Sequence, residues 1–363
     1  MKYAWKEIMF GKKKYILIEL LLILLMFMVL FLSGLASGLG RAVSSAIDTM
    51  DADAFVVDDS AEQIITVSSV ESRVLNELLE KNADAQPLDI QRMYIVKDRD
   101  DEKLNITYFA ITPGSFIEPE TTEGTGLAES DAEDPIILDD DFMLEGISLG
   151  DKVYDSSTDL EFTVTGFADD RMYGHTSVGY ISTDSYTKLR KSLNPMYEPV
   201  YHAIAVRGDA EYDFKGNNLE LVPKQEIIEN IPSYSAEHIT ITMIVWLLVI
   251  ISAVIIGIFN YILTLQKKKE LGVMKAIGMR NSELVGMLIS EVLIVSVIAA
   301  VFSLVLTFGM AAALPEKMPF YLEVPGAVTV TVAFVLISVL GSLLSVIHIL
   351  RIDPNIAIGG GEE

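Results

Sequence analysis

Four long apolar stretches, separated by polar segments of very different length, dominate the sequence. They run over Tyr15–Ala36, Ile239–Leu265, Leu284–Leu314 and Ala327–Leu350. The second contains no charged residue from end to end. At about 1.5 Å of rise per residue, each stretch is long enough to cross a bilayer as a helix. We therefore predict four transmembrane helices, at 15–37, 237–265, 284–314 and 326–350.

The first apolar stretch follows a basic segment, residues 1–14, as it would in a secretory signal peptide. The apolar region of a signal peptide has only about 7–15 residues. The stretch in this chain runs from Tyr15 to Ala36 and is interrupted only by Glu19. It is therefore predicted to remain as an uncleaved membrane helix.

Residues 38–236, between the first two spans, have the mixed periodicity of a folded α+β domain. Alternating apolar and polar residues predict strands at Leu104–Ile111, Glu161–Thr165 and His202–Val206. Helical spacing predicts a helix over Val70–Leu79, with Ser68 and Glu71 as a capping box. A second helix is expected from Pro223 to Asn230. The expected fold is thus a four-helix membrane protein with an inserted α+β domain.

The charge is concentrated in that inserted domain. The whole chain has a net charge of −24, and residues 42–236 contain 40 acidic against 14 basic side chains. An acidic domain repels phosphates, so nucleic acid is not an expected partner. Its most acidic stretch, Glu118–Asp141, is expected to be a solvated loop. There is no cysteine, which excludes disulfides and thiolate metal sites.

Basic residues outside the inserted domain cluster at 2–14, at 266–283 and at Arg351. By the positive-inside rule these segments are cytoplasmic. The 38–236 domain and the short link 315–325 are then expected to be extracellular, and the tail 351–363 cytoplasmic. Glu19 and Glu291 are ionisable groups inside apolar stretches, near the cytoplasmic ends of their spans. Extension of each side chain to the interface is the simpler explanation for them.

Three segments resemble the permeases of FtsX/MacB-type transporters. Lys269-Glu-Leu-Gly-Val-Met-Lys-Ala-Ile-Gly-Met279 is similar to the cytoplasmic segment after the second span, and Asp353-Pro-Asn-Ile-Ala357 to the ending. Ile147-Ser-Leu-Gly-Asp-Lys-Val-Tyr154 with Phe162-Thr-Val-Thr-Gly166 is similar to part of the external core. The resemblance, with four spans and a large insert after the first, covers the whole chain.

Shorter segments resemble the haem-exporting HrtB-type permeases of Gram-positive bacteria. They are Val29–Arg41, Asp170-Arg-Met-Tyr-Gly-His175, Ser233-Tyr-Ser-Ala-Glu237, Met318-Pro-Phe-Tyr-Leu322 and Ala357-Ile-Gly-Gly360. This resemblance implies a homodimeric permease in the cell membrane, served by two copies of a separate ABC ATPase. It implies that haem is the substrate and leaves from the membrane, and that no cofactor is permanently bound. The chain has no phosphate-binding G-x-x-x-x-G-K-[ST] motif, so it is not expected to be an enzyme by itself, and ATP is expected on the partner.

The cytoplasmic segment 266–283 is a candidate docking surface for that ATPase. Helical spacing puts its apolar residues on one face and its lysines off that face. The candidate residues are Lys268, Leu271, Met274, Lys275, Ile277 and Gly278. The alternative is a helix that lies on lipid, with its lysines toward anionic headgroups.

The first span ends in a strip of small residues, with Gly34 and Gly38 four positions apart. Such strips allow helices to approach each other closely. The functional alternative is a slot for a flat macrocycle in the outer leaflet. The two interpretations are compatible if the slot lies at the dimer seam.

Haem export requires iron ligands, an apolar slot and a cation for the propionates. Candidate ligands at the outer end of the second span are Tyr234, Glu237, His238 and Met243. Tyr234 and His238 are four positions apart and lie on one helical face if the helix begins as early as Tyr234. Interfacial anchoring of Tyr234 and headgroup contact for its neighbours are the alternatives. Apart from iron ligation by Tyr234 or Glu237, no metal site is predicted.

Two further candidates lie outside the second span. Arg41 follows the glycine strip and could pair with a propionate, or it could be a topological charge. Tyr173 and His175 are expected in a loop near the membrane, where ordinary turn chemistry is the alternative. Other hydrophobic cargo (an antibiotic, peptide or lipid) and FtsX-like signalling to an extracellular cell-wall hydrolase are the alternative functions.

Overall fold

A computed structural model describes residues 9–81, 83–98, 102–315 and 318–350; the side chains of 12–14, Lys268 and 343–350 are outside this description. The chain divides into two compact units. The helical unit comprises the described parts of Met1–Gly38 and Ile239–Glu363, and the sheet unit comprises Leu39–His238. The ending at 353–363, one of the segments that resembles known permeases, lies outside the described residues.

Four long helices carry the apolar stretches. They are α1 (Lys12–Asp48), α6 (Tyr234–Gln266), α8 (Asn281–Ala311) and α9 (Val324–Leu350). Each has a window long and apolar enough to cross a membrane. The fold class predicted from the sequence, a four-helix membrane protein with an inserted α+β domain, is confirmed.

The interior of the helical unit combines apolar side chains with small hydroxyl side chains. Met26 and Leu30 of α1 are fully buried in its core, together with Ala299 of α8. Ser296 and Ser303 on α8 are buried as well. Small residues allow helix backbones to approach closely, which is how helices pack in lipid where the hydrophobic effect does not drive association.

Glu291 of α8 is 4% exposed and accepts hydrogen bonds from Lys267, which directly follows α6. Extension of this side chain to the membrane interface, the explanation favoured from the sequence, is therefore wrong. A buried carboxylate is stable here because the Lys267 ammonium group compensates its charge.

The strands described in the sheet unit are β1 (Ala54–Asp58), β2 (Val70–Glu71), β3 (Asp84–Val96), β4 (Leu104–Ile111), β5 (Glu123–Gly124), β6 (Pro135–Asp139), β7 (Lys152–Asp155), β8 (Glu161–Ala168), β9 (Met172–Tyr173), β10 (Thr176–Ser182), β11 (Val200–Tyr201), β12 (Ala203–Arg207) and β13 (Leu219–Pro223).

Eleven of these described strands form one mixed sheet. Its order is β13-β1-β12-β3-β4-β10-β6-β8-β5, with β7 beside β3 and β8, and β9 beside β10. The pairs β4–β10 and β6–β8 are parallel and the other pairs are antiparallel. β11 and β2 form a separate two-stranded sheet.

Shorter helices complete the description. They are α2 (Ser72–Glu80), α3 (Asp141–Leu144), α4 (Thr183–Leu193), α5 (Lys224–Glu229) and α7 (Lys268–Ala276), with 3-10 turns at Asp59–Ala61, Ile65–Val67 and Lys215–Asn217.

Alternate residues of the long strands belong to different hydrophobic clusters. Phe109 and Ile111 of β4 join one cluster, whereas Tyr108 and Ala110 join another.

Two expectations for the sheet unit are wrong. The capping box at Ser68 and Glu71 does not form: α2 begins at Ser72, and Ser68 Oγ instead accepts a hydrogen bond from the Asp58 amide. The acidic stretch 118–141 is not simply a solvated loop, because it contains β6, whose five residues are all buried. The short apolar run at 135–138 pairs with a strand on each side. This pairing stabilises a buried strand despite the acidic residues around it.

Candidate functional site

A contact between His175 and Glu237 joins the β9–β10 hairpin to the first turn of α6. Nε2 of His175 lies 3.1 Å from each carboxylate oxygen of Glu237. Both side chains are partly exposed, at 43% and 35%. A carboxylate held through both oxygens has a fixed orientation, and each oxygen retains a lone pair for another partner.

The hairpin turn presents His175 because two successive residues adopt the left-handed conformation, Gly174 at φ 56° and His175 at φ 60°. Their amides donate hydrogen bonds of 2.9 Å to the carbonyls of Val43 and Ala42 at the end of α1. His175 therefore occupies a strained but doubly anchored position. Such anchoring holds its ring toward the α6 terminus.

Tyr234 and His238 stack in parallel, with ring centroids 5.6 Å apart and planes 7° apart. The stack forms because α6 begins at Tyr234, which places residues four apart on one face. Tyr234 is half-buried and packs against the core of the sheet unit. Tyr234, Glu237, His238 and His175 thus form one cluster at the start of α6, hereafter the α6-terminus cluster.

Arg41 is not a free cation in this structure. Its Nε donates a hydrogen bond of 2.6 Å to Asp170 Oδ2, in a salt bridge that is partly exposed. Tyr173 is 7% exposed and packs edge-on against Phe109. Burial raises the pKa of the Tyr173 phenol, so this residue is neutral at physiological pH.

The glycine strip of α1 is covered by the link between α8 and α9. An ideal Cβ built at Gly34 would lie 2.5 Å from Phe320 Cζ, and one at Gly38 would overlap the Pro319 carbonyl group. The Tyr321 amide donates a hydrogen bond of 3.0 Å to the Gly34 carbonyl. The segment that approaches the glycine strip closely, as its small residues predict, is therefore the link between α8 and α9. Met243, also in the helical unit, is 63% exposed.

The candidate docking segment 266–283 has a buried and an exposed side. Leu271 is 1% exposed and packs with Leu284 and Leu288 of α8, with Met274 beside them. Ile277 is 81% and Val273 49% exposed. Gly278 has φ 97°, which only glycine adopts without strain. Lys275 is partly buried, and the Lys268 side chain lies outside the described residues.

Sequence reasoning did not find the contact between His175 and Glu237, nor the docking candidate Val273. The two members of that contact are 62 positions apart, so no local periodicity links them. Val273 could have been noticed, because it lies four residues before Ile277 and so shares its helix face.

Residues 242–354 match the model of the FtsX-like permease C-terminal family. Together with four membrane-length helices and an inserted sheet domain, this match is typical of the FtsX-like permeases of ABC transporters. It is a membrane protein of the permease type.

Two staphylococcal proteins described as permease protein HrtB of a hemin transport system match over their whole length. The protein of Staphylococcus epidermidis (strain ATCC 12228) is 30% identical over 362 residues, and that of Staphylococcus haemolyticus (strain JCSC1435) is 28% identical over 368 residues. Each alignment covers 100% of this chain and of the relative. The chain therefore belongs to the HrtB-type family of ABC transporter permeases, as its sequence motifs predicted.

Two further similarities are partial. The uncharacterized ABC transporter permease YclI of Bacillus subtilis is 25% identical over 213 residues, covering 49% of this chain and 42% of YclI. The crystal structure of the extracellular domain of the noncanonic ABC-type transporter YknZ from Gram-positive bacteria aligns with a TM-score of 0.30 and 14% identity. That alignment covers 46% of this chain and 87% of the solved extracellular-domain chain.

Proposed function

We propose that this chain is the permease subunit of an ATP-driven exporter that moves haem outward from the cell membrane. The observation that carries the proposal is the α6-terminus cluster, in which Glu237 and Tyr234 offer iron ligands and each contacts a histidine. The full-length similarity to relatives described as hemin transport permeases supports the same substrate.

The ligand chemistry of the cluster suits ferric haem. Phenolate and carboxylate oxygens are hard ligands of the kind that ferric iron accepts. His175 fixes the Glu237 carboxylate while leaving it lone pairs for iron. His238 stacks on Tyr234 and so fixes the plane of the phenol ring. In this proposal Glu237 and Tyr234 are the ligands, and the two histidines position them.

The glycine strip would receive the flat face of the macrocycle. Since Phe320 and Pro319 now cover Gly34 and Gly38, haem would contact the Phe320 ring or displace the link. Arg41 would exchange Asp170 for a propionate. The exchange keeps the Arg41 cation paired and releases the carboxylate of Asp170, which is partly exposed to solvent.

Transport would be driven from the cytoplasmic side. We propose a homodimer with both termini in the cytoplasm, the sheet unit outside the cell, and one ATPase on each α7. The exposed side chains Val273 and Ile277 would contact the ATPase. Closure of the ATPase dimer would then move α6, a single helix from Tyr234 to Gln266, and compress the haem site at its outer end.

The test measures haem bound to the purified dimer and growth of producing cells on toxic haem. Tyr234→Phe keeps the ring and its stack but removes the oxygen, and Glu237→Ala removes the carboxylate. We expect each variant to weaken haem binding about tenfold or more, and the double variant to lose less than the sum. Glu226→Ala, which removes an exposed carboxylate from α5, is the matched control.

Normal binding and protection in both variants would contradict the proposed site. A protein that binds no haem in any form would contradict the proposed cargo. The second result would direct attention to another hydrophobic cargo or to signalling toward a cell-wall hydrolase.

A further inference from the structure

A cavity in the helical unit lies between α1, α6 and α8, beside Lys267. It has an empty volume of about 600 Å³, including the space open at its mouth. Apolar side chains form most of its wall, among them Ile18, Leu22, Phe259, Leu263, Val292 and Val295. A cavity of roughly 300–1,000 Å³ with mainly apolar walls is typical of a site for a ligand of a few hundred daltons.

Two side chains in this wall have polar atoms without a protein partner. Ser296 is fully buried, and its hydroxyl oxygen has no hydrogen-bond partner among the residues that the structure describes. The same holds for the buried side-chain amide nitrogen of Asn260. Unpaired polar groups inside a protein are unfavourable, and both of these groups can donate a hydrogen bond. A ligand that supplies an acceptor oxygen would satisfy them.

The charged groups of the cavity satisfy each other. Glu291 accepts hydrogen bonds of 2.7 and 2.8 Å from Lys267, and both residues lie on the wall. One ammonium and one carboxylate group leave the cavity without net charge, so a neutral acceptor suits it better than an anion does. Asn260 lies seven positions before Lys267 on α6, and Ser296 five positions after Glu291 on α8.

The position of the cavity indicates which neutral acceptor can reach it. Each lining residue except Lys267 belongs to one of the four membrane-length helices. At about 1.5 Å per residue, the unpaired groups lie roughly 7–10 Å further along the helices than the ion pair. The polar head-group region of a bilayer is only about 5–8 Å thick on each side. A group below it meets the level where acyl chains begin, and the acceptor there is the ester carbonyl of a lipid.

We propose that this cavity binds a membrane glycerolipid. An ester carbonyl of the lipid accepts hydrogen bonds from Asn260 and Ser296, and an acyl chain lies along the apolar wall. Phe259 and Leu263, which are only partly buried by the protein, contact this chain. The lipid would occupy the space beside Lys267, where the proposed coupling helix α7 begins. This site does not depend on the identity of the cargo.

The test compares two phospholipids that differ only in the linkage of their chains. Purified full-length protein in a maltoside detergent is titrated with diester phosphatidylglycerol or with its diether analogue, which lacks carbonyl oxygens. We expect the ester lipid to raise the unfolding temperature saturably, by about 2 °C or more above the effect of the ether lipid. Native mass spectrometry should show one retained ester lipid per chain. Equal effects of the two lipids would overturn the proposal.

Two variants locate the site. Asn260→Leu and Ser296→Ala each remove one donor, and both should lose the difference between ester and ether lipid. In lipid-free detergent each variant should be at least as stable as the parent, because an unpaired buried group has been removed. Ser290→Ala is the matched control on α8. The Ser290 hydroxyl donates to the Gly286 carbonyl of its own helix, so this variant should keep the difference between the lipids.

Ordered water is the other source of acceptors for buried polar groups. If both variants lose stability in lipid-free detergent and the parent does not distinguish the lipids, the cavity holds water and the lipid proposal is overturned. If both variants still distinguish the lipids, the lipid binds elsewhere and the site is wrong.

Haem is a further competitor, because its propionic groups also carry carbonyl oxygens. We expect ferric haem to leave the retained lipid in place, as measured by native mass spectrometry, whether or not haem binds at the α6-terminus cluster. Stoichiometric displacement of the lipid by haem would overturn the lipid proposal and make the cavity a cargo site. A protein that binds the ester lipid but no haem would refute the proposed cargo and support the lipid site.

Discussion

Lys267 and Glu291 form a buried ion pair inside the helical unit, with Nζ 2.7 Å from Oε1 and 2.8 Å from Oε2. The same Nζ donates a hydrogen bond of 2.7 Å to the Tyr15 hydroxyl oxygen. Lys267 separates α6 from α7, Glu291 belongs to α8 and Tyr15 to α1. One ammonium group therefore joins the start of the proposed coupling helix to two membrane helices.

Removing one partner of this pair should destabilise the protein strongly. Lys267→Met leaves a buried carboxylate without its cation, which typically costs about 3–5 kcal/mol. The double variant Lys267→Met, Glu291→Leu should recover most of that loss, because two apolar side chains of similar size leave no buried charge. Thermal unfolding in detergent measures both.

Lys269→Met is the control for this prediction, since Lys269 is exposed. It should leave the unfolding temperature nearly unchanged. A single variant as stable as the parent, or a double variant no better than the single, would show that the pair is not a stabilising contact.

Ile277→Asp should uncouple ATP hydrolysis from transport without unfolding the protein. Ile277 is 81% exposed, so a carboxylate there costs little in the isolated chain but much in an apolar interface with the ATPase. Co-purification of the ATPase and haem export should both fall at least tenfold.

Leu271→Ala provides the contrast for the coupling experiment. Leu271 is buried against α8, and its truncation should cost stability, about 2–5 kcal/mol, while the docking surface remains. Full export by Ile277→Asp would favour a helix that lies on lipid.

Gly34→Ala should destabilise the protein. Adding Phe320→Ala to this variant should recover part of the lost stability. The new methyl group would lie 2.5 Å from Phe320 Cζ, and overpacking of this kind costs about 1–3 kcal/mol. In the double variant the ring is absent, so the two effects should be non-additive in unfolding measurements.

Gly38→Ala is the matched control for the strip, because the added Cβ would meet the Pro319 backbone. Phe320→Ala should not relieve it. Equal relief at both positions would mean that the link is not seated on the strip as the structure shows.

Cysteine labelling should establish the orientation, since the chain has no cysteine of its own. Glu133→Cys, on the exposed surface of the sheet unit, should react with a membrane-impermeant thiol reagent in intact cells. Ile277→Cys should react only after lysis. The reverse pattern would contradict the four-span topology with cytoplasmic termini.

The membrane helices were predictable because a long apolar run is a local signal. The strand Leu104–Ile111 was predicted with the bounds that β4 has, because the alternation of apolar and polar residues is a local signal as well. β6 was missed because its apolar core at 135–138 is shorter than the acidic segment around it. There, burial against β8 and β10 decides the conformation, and the sequence pattern does not reveal which strands will pair.

The candidate site was predictable only in part. The start of α6 could be proposed from residue types, and the stack of Tyr234 on His238 followed once the helix was known to begin at Tyr234. The partners His175, Asp170 and Glu291 could not be assigned, because each contact joins segments far apart in the sequence. Such pairings depend on the packing of whole elements.

The buried hydroxyl groups of the helical unit have a mechanical consequence. Thr307 Oγ1 and Ser338 Oγ donate to carbonyls of their own helices, those of Ser303 and Phe334. A bond within one helix survives when a neighbouring helix slides past it, whereas the bond from Ser303 Oγ to the Ile23 carbonyl, 2.9 Å long, must break. Resistance to sliding between α1 and α8 is thus concentrated at two places, the hydrogen bond of Ser303 and the contacts of Lys267 with Tyr15 and Glu291. A relative movement of these helices would have to break these few specific bonds.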